Sequence, residues 1–445
     1  MALQFESLGS QFADFVSDPT SEASVAWADA NHLKVSHTPS LHGVNYHIVR
    51  YDRSKFGSDM EQIDMPNAIR MLRSVIIANG RIVSVSLPKC LDSSTIGNNN
   101  ETLVCPTIIP ISNCLIVRLP KCLDSSTIGN NNETLLSHTI MEEGPMVNVF
   151  YVSNDDRIKD EDDNEQFGWQ IATRSVIGAR NSYYDDEYGN KVTFREMFLE
   201  AMPENLFSSL NRNCCYSFVI RHPKNRDVYH ESKPHLLLTA AFCPSNEFMT
   251  WNWCYNQTLC EGVSNVQSVN TSSDNRYLGT TKLYVNSDGG LVRTKTISED
   301  YPNLRKLRGT QPKLLFHYLA LRKQRGVVGQ YLTRYPEHSV VFDAYRNLIH
   351  SFTNELYKSY IGCYVKRERP LGQYDGKFKQ HMYNIHESFK QKRESVHNCR
   401  TQMSDVIQYV NNLEPAQLMY VLNWERHADK HQRRQEAGSS DNMEQ

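Results

Sequence analysis

Up to about residue 300 the apolar positions come in short alternating or continuous runs. Beyond residue 312 they return every third or fourth position. Ser74-Val-Ile-Ile and Arg81-Ile-Val-Ser-Val-Ser form the arms of a hairpin turning at Asn79-Gly80. Met146-Val-Asn-Val-Phe-Tyr-Val and Trp169-Gln-Ile-Ala-Thr-Arg each read as a strand. Tyr216-Ser-Phe-Val-Ile and Leu236-Leu-Leu-Thr-Ala-Ala-Phe are apolar enough for buried strands, and Leu283 to Val285 pairs with Leu291 to Thr296 across Asp288-Gly289-Gly290. Phe194, Met197, Phe198 and Ala201 fall on one helical face, and Ala68 to Leu72 reads as a short helix. After residue 312 the pattern predicts helices over 312–321, 340–357, 378–396 and 401–413. The fold class is therefore α+β, with a boundary near residue 310. Residues 1–64 lead in, 65–310 form the body, 311–435 form an α-helical domain, and 436–445 form a disordered tail.

A perfect duplication interrupts the body: the 17 residues Leu87 to Leu103 return as Leu119 to Leu135. One repeated pair does not make a solenoid, which needs about three units. Both copies are rich in Ser, Asn and Gly, so 87–135 reads as a duplicated loop. The acidic run Asp155 to Glu165 reads as an exposed loop whose spacing fits no metal site.

With 445 residues, 40% hydrophobic and 22% charged, the chain has length for two or three domains. That excludes a collagen, a disordered tail protein and a disulfide miniprotein. The net charge of −2 conceals an asymmetry. From Tyr301 to Gln445 there are 23 Lys+Arg against 14 Asp+Glu, a net of +9, which leaves −11 for residues 1–300. A basic helical third suggests a polyanionic partner, with a solvated helical surface as the alternative. The longest uncharged apolar stretch, Cys105 to Val117, is thirteen residues broken by Pro106 and Pro110. A bilayer needs about 20, so no membrane is expected. The eleven cysteines show no paired framework, and no basic-then-apolar segment opens the chain. Reduced thiols and an intracellular, cytoplasmic setting are the expectation. The sequons at Asn100 and Asn132 point the other way.

The candidate chemistry lies in a series of blocks: Ser84-Val-Ser-Leu-Pro-Lys (or its copy ending at Lys121), Met141-Glu-Glu-Gly-Pro-Met-Val-Asn-Val-Phe, Trp169-Gln-Ile-Ala-Thr-Arg, Tyr216-Ser-Phe-Val-Ile-Arg-His-Pro-Lys-Asn-Arg and Leu291-Val-Arg-Thr-Lys-Thr. In this order the chain resembles the T4-type RNA ligase family, in particular the divergent ligase-like proteins of large DNA viruses. The likeness extends over roughly 65–310 and, for the viral proteins, into Leu304 to Leu319 and Pro415 to Asn423. It implies an antiparallel-sheet nucleotidyltransferase body, ATP-grasp-like in kind, with ATP and Mg²⁺ as cofactors, RNA as partner and a setting in host cytoplasm. In such ligases a lysine amine attacks the α-phosphate of ATP, AMP passes to an RNA 5′-phosphate, and a 3′-hydroxyl displaces it. The amine must be neutral to attack, and cations must hold the phosphates.

The resemblance gives Glu143 and Gly144 to the nucleotide pocket, Arg174 and Arg293 to the phosphates, and Lys295 to the catalytic set. Met141 stands where the lysine nucleophile belongs, Val219 where the family has a glutamate, and Leu278 where the later Glu-Gly would begin. A thioether cannot form a phosphoramidate. Two readings stay open: Lys121 (or Lys89) replaces the lost amine, or the fold is degenerate and binds nucleotide, RNA or a protein partner without adenylyl transfer. Among smaller signals, His222-Pro223 with Asn225-Arg226 reads as a backbone turn. Cys243, Cys254 and Cys260 lack zinc spacing and read as structural thiols, so no metal residues are assigned. Trp251, Trp253 and Tyr255 alternate onto one strand face. Lys366, Arg367 and Arg369 with Tyr364, then Lys377 and Lys379, form a basic stretch interleaved with aromatics and a candidate RNA-backbone contact.

Overall fold

The computed structural model describes residues 2–38, 44–56, 69, 71–92, 107–111, 114–118, 134–152, 168–184, 191–245, 249–254, 262–265, 278–285, 291–395 and 399–425. Lys121, Tyr255, Cys260, the acidic run, the helix expected near Ala68 (all but three of its residues), most of both duplicated copies and the 436–445 tail lie outside them. The chain divides into two units, one of residues 1–183 and 191–308, the other of residues 184–190 and 309–445.

The first unit carries three largely antiparallel sheets. The largest runs in the order β11 (Trp169–Thr173), β10 (Met146–Tyr151), β12 (Cys215–Arg221), β13 (His235–Pro244), β14 (Thr250–Cys254), β8 (Cys114–Arg118), β7 (Thr107–Ile111). The short strands β1 (Ala2–Gln4) and β15 (Val263–Asn265) pair with β14 and β13. The second sheet is β6 (Cys90–Asp92), β17 (Leu291–Ile297), β16 (Gly279–Val285), β9 (Thr134–Ile140), and the third is β2 (Leu33–Thr38), β3 (Tyr46–Tyr51), β4 (Val75–Ala78), β5 (Arg81–Ser84). Residues 1–64 thus supply strands to sheets that the body completes. The duplicated stretch is not all loop: β6 opens within the first copy and β9 begins at the end of the second, while β7 and β8 form a hairpin between them. Pro110 sits in β7 at the sheet edge, where a missing N–H breaks no ladder.

Local chemistry explains these elements. Asn79 and Gly80 both take positive φ, 49° and 68°, as a two-residue type I′ turn demands. All seven residues of β12 are buried, because both faces of this central strand are covered. On one face lies α3 (Phe194–Ala201), capped by a reciprocal Thr193–Glu196 box and burying Phe194, Met197, Phe198 and Ala201. The other face joins a core shared by all three sheets and by α1 (Ser10–Ser17), with Phe12, Phe15, Ile48, Ile76, Phe150, Phe242 and Leu283 inside it. The helix α4 (Tyr301–Arg308) closes the unit.

The second unit, taken by itself, is helical: α5 (Leu314–Leu321), α6 (Val327–Arg334), α7 (Ser339–Tyr360) running into a π-turn over Ile361–Val365, α8 (Gly376–Ser395), α9 (Met403–Asn412) and α10 (Pro415–Leu422). Its interior is aromatic. Tyr318, Tyr331, Tyr335 and Phe342 pack ring against ring, with centroids 4.6–5.2 Å apart. No helix among the described residues is long and apolar enough to cross a membrane.

Candidate functional site: an arginine-lined cavity

The first unit holds a cavity of about 170 Å³ between the largest sheet and the β6–β17–β16–β9 sheet. Typical ligand pockets run to about 300–1,000 Å³, so this one fits a phosphate-bearing end better than a whole ligand. Its polar walls are Ser137 and Thr139 on β9, Thr239 on β13, Thr281 and Lys282 on β16, Arg293 on β17, Arg73 just ahead of β4, and Glu142. Gly144 and Met146 line it where β10 begins. Gly144 has φ +142°, and a Cβ there would lie 2.4 Å from the Ile220 carbonyl oxygen. Only glycine lets the chain pass so close to β12.

Two cavity arginines belong to a larger group. Burial, and then the charge of Arg293, pulls the Arg73 guanidinium down to about 10, with Arg174 adding to the effect. Burial and then Arg174 likewise lower Arg50. Arg174 donates its Nε–H to the Arg73 carbonyl at 3.1 Å and lies 4.6 Å from the Tyr51 ring centroid. Arg50 has a buried Nε with no hydrogen-bond partner. Among the described residues no carboxylate forms an ion pair with any of the four. Among the described residues the one carboxylate on the cavity wall, Glu142, is committed to Arg221, whose guanidinium also stacks 4.3 Å from the Tyr229 ring centroid.

The sequence-derived residues fall as follows. Gly144 and Arg293 line the cavity. Glu143 does not: its buried carboxylate accepts from the Val228 and Tyr229 N–H groups at 2.8 and 2.9 Å and from the Tyr301 hydroxyl at 2.9 Å, tying a loop and α4 to the strand edge. That carboxylate and burial push the Tyr301 hydroxyl well above its usual value, burial first. Arg174 lies beside the cavity arginines rather than on the wall. Lys295 is two residues beyond Arg293 on β17 and not on the wall. Lys89 is described and lies off the wall as well. Met141 holds strand pairing through its N–H to the Gly279 carbonyl.

Sequence reading did not single out Arg73, Arg50 or Lys282. Arg73 carries a faint signal, a cation one residue ahead of the buried run from Ser74. His222 behaves as the expected turn residue, its Nδ1 accepting from the Lys224 N–H at 3.1 Å. Trp251 and Trp253 are core residues. In the helical unit, Lys366, Arg367 and Arg369 are exposed around the end of the π-turn, and Lys377 and Lys379 begin α8. Lys366 lies 3.5 Å from Glu368, Lys377 lies 3.5 Å from Glu355, and Arg369 stacks on Tyr374.

The expectation of reduced thiols fails at one pair: Cys214 and Cys243 are joined in a disulfide. The two lie 29 residues apart on neighbouring segments, a proximity that spacing along the chain cannot reveal. Compared with known proteins, the chain matches no family model and none of the curated proteins.

Proposed function

We propose that this chain is an RNA-ligase-like protein that binds the phosphates of ATP and of RNA ends in the arginine-lined cavity. The observation that carries this reading is the group of four guanidiniums, two of them on the cavity wall, without a carboxylate counter-ion among the described residues. Like charges held together in a partly dry site are costly. A phosphate converts that cost into attraction, and guanidinium forks match its oxygens in pairs. The hydroxyls of Ser137 and Thr281 add neutral donors around the same space, while those of Thr139 and Thr239 already donate to the Thr281 and Ser217 carbonyls.

The walls do not suit Mg²⁺, since their single carboxylate is held by Arg221, and no step is routed through a metal. If AMP is transferred covalently, the attacking amine on the wall is Lys282; Lys121 is the alternative from the sequence. Nitrogen would bond to the α-phosphorus as pyrophosphate leaves, and the lysine proton would pass to solvent. Binding without transfer is the second reading. It is favoured by Met141 at the usual lysine position and by the engagement of Glu143 in three hydrogen bonds.

The test is to incubate the full chain with α-labelled ATP and Mg²⁺ and run a denaturing gel. A label lost in Lys282→Ala or Lys121→Ala supports transfer. No label, with salt-sensitive binding of 5′-phosphorylated RNA that Arg73→Met and Arg293→Met weaken tenfold or more, supports the binding reading. If neither ATP nor RNA binding responds to the two arginine variants, the proposal fails.

A further inference from the structure

Three sulfurs meet on the face of the largest sheet covered by α3. The β13–β14 register pairs Ala241 with Cys254 and Cys243 with Asn252, so Cys243 and Cys254 are diagonal neighbours on one face. The β12–β13 register pairs Cys215 with Phe242, which brings Cys214, one residue earlier, beside Cys243. Cys214 and Cys243 are bonded, and the Cys254 Sγ lies 3.2 Å from the Cys243 Sγ. All three residues are buried, with their sulfurs within 4.8 Å of one another. Cys254 also lines the arginine-walled cavity. Cys215 is not part of the group. Its sulfur accepts from the Val85 N–H on the other side of the sheet, and burial pushes its thiol up to about 12.

We propose that Cys214, Cys243 and Cys254 form a thiol–disulfide exchange site, with Cys254 as the attacking thiol and Cys243 as the shared central sulfur. The Cys254 sulfur sits at the separation of a near-attack contact, about 3–3.5 Å. Its S–H has a second acceptor in the Asn252 carbonyl at 3.7 Å. In the exchange the Cys254 thiolate bonds to the Cys243 Sγ, the Cys214–Cys243 bond breaks, and Cys214 leaves as a thiolate. The proton lost by Cys254 ends on Cys214. One disulfide and one thiol are present before and after, so no oxidant or reductant is consumed. This inference stands apart from the phosphate reading, and its test uses no nucleotide.

The experiment is disulfide mapping on the full wild-type chain. After incubation at pH 8 without reductant, the protein is acid-quenched, alkylated under denaturing conditions and cleaved at glutamates. Cleavage at Glu247 separates Cys243 from Cys254, and fragment ions separate Cys214 from Cys215. Both Cys214–Cys243 and Cys243–Cys254 linkages are expected. Cys214→Ser should leave only the second linkage, and Cys254→Ser only the first. A wild-type map with Cys214–Cys243 alone, as a static disulfide beside a packed thiol requires, overturns the proposal whether or not the variants fold. So does linkage of Cys254 to any cysteine other than Cys243. Three unlinked thiols with stoichiometric zinc would also overturn it, in favour of a three-thiolate metal site.

Discussion

The helical unit places its cations beside acids, whereas the sheet body places arginines beside one another. Lys323–Glu414, Lys390–Glu387 and Lys392–Asp405 each close to 2.7 Å on the helical surface, and Lys377–Glu355 to 3.5 Å. In the body, burial and then the charge of Arg293 lower Arg73, and burial and then Arg174 lower Arg50. Net charge runs the opposite way, with the basic excess in the C-terminal third and the acidic excess in residues 1–300. Charge summed along a segment therefore says little about where an anion would be held. Exposed pairs are worth about 0–1 kcal/mol and are already satisfied. A few partly buried cations without partners make a stronger site than many solvated ones with partners.

The largest effect expected from breaking this comparison is structural. Glu143→Ala removes the acceptor of two backbone N–H groups and the Tyr301 hydroxyl, leaving donors stranded in a buried place. The cost should be on the order of 3 kcal/mol, visible in denaturant unfolding. Were Glu143 a phosphate-site residue instead, the variant would change ligand affinity and leave the unfolding midpoint in place.

Next comes the arginine group itself. Arg73→Met removes a guanidinium that burial and Arg293 both disfavour, while the backbone carbonyl that Arg174 uses remains. The unliganded protein should gain about 1–2 kcal/mol, even as phosphate binding weakens. A gain in melting temperature without ligand, together with a smaller shift on adding ATP, would sharpen the contrast with the helical unit. A Lys390→Met change on that exposed surface should leave the melting temperature where it is.

Much of the framework was legible because it rests on local rules. The Asn79-Gly80 turn, the α3 face and the helices α5, α7, α8 and α9 follow from turn chemistry and periodicity, whereas the short α6 was not read from the sequence. The cavity was legible only in part. Gly144 and Arg293 stand in recognisable blocks, but Arg73 and Lys282 reach the cavity through strand order, which no local pattern encodes. Glu143 shows the converse. Its motif marks an acid at the strand edge, yet the carboxylate is turned toward the 228–229 backbone and α4. Cys214 and Cys243 meet through the pairing of the consecutive strands β12 and β13, a register that no local pattern of residues sets.

A smaller effect separates the two kinds of cation in binding. Lys377→Ala and Lys379→Ala should each weaken RNA binding alike across sequences and lower the salt slope by about 1. Arg293→Ala should discriminate between 5′-phosphorylated and 5′-hydroxyl RNA, which the lysine variants should not. Equal loss for both ends in all three variants would erase the distinction between cavity and surface.

The smallest effect concerns a second crowding of like groups in the body. His37 and His47 face each other on β2 and β3 with Nδ1 atoms 2.6 Å apart, so one ring must donate and the other accept. Burial, and then His37, lowers His47 below the ordinary imidazole value, and Asp18 opposes this more weakly. The sign follows from proton uptake. Below about pH 6.5 the unfolded chain binds protons that the folded pair resists, so stability is complete above that pH and declines as pH falls through it toward the lowered folded value. In the helical unit His381 is lowered by burial alone and His386 by burial and then by Lys390, so both units lose stability in acid. His37→Gln keeps a hydrogen-bonding partner for His47 without the charge. It should therefore reduce the fall in melting temperature between pH 7.5 and 5.5, by less than about 1 kcal/mol in stability terms. An unchanged fall would place the acid sensitivity in the other lowered histidines, His222 in the body and His381 and His386 in the helical unit.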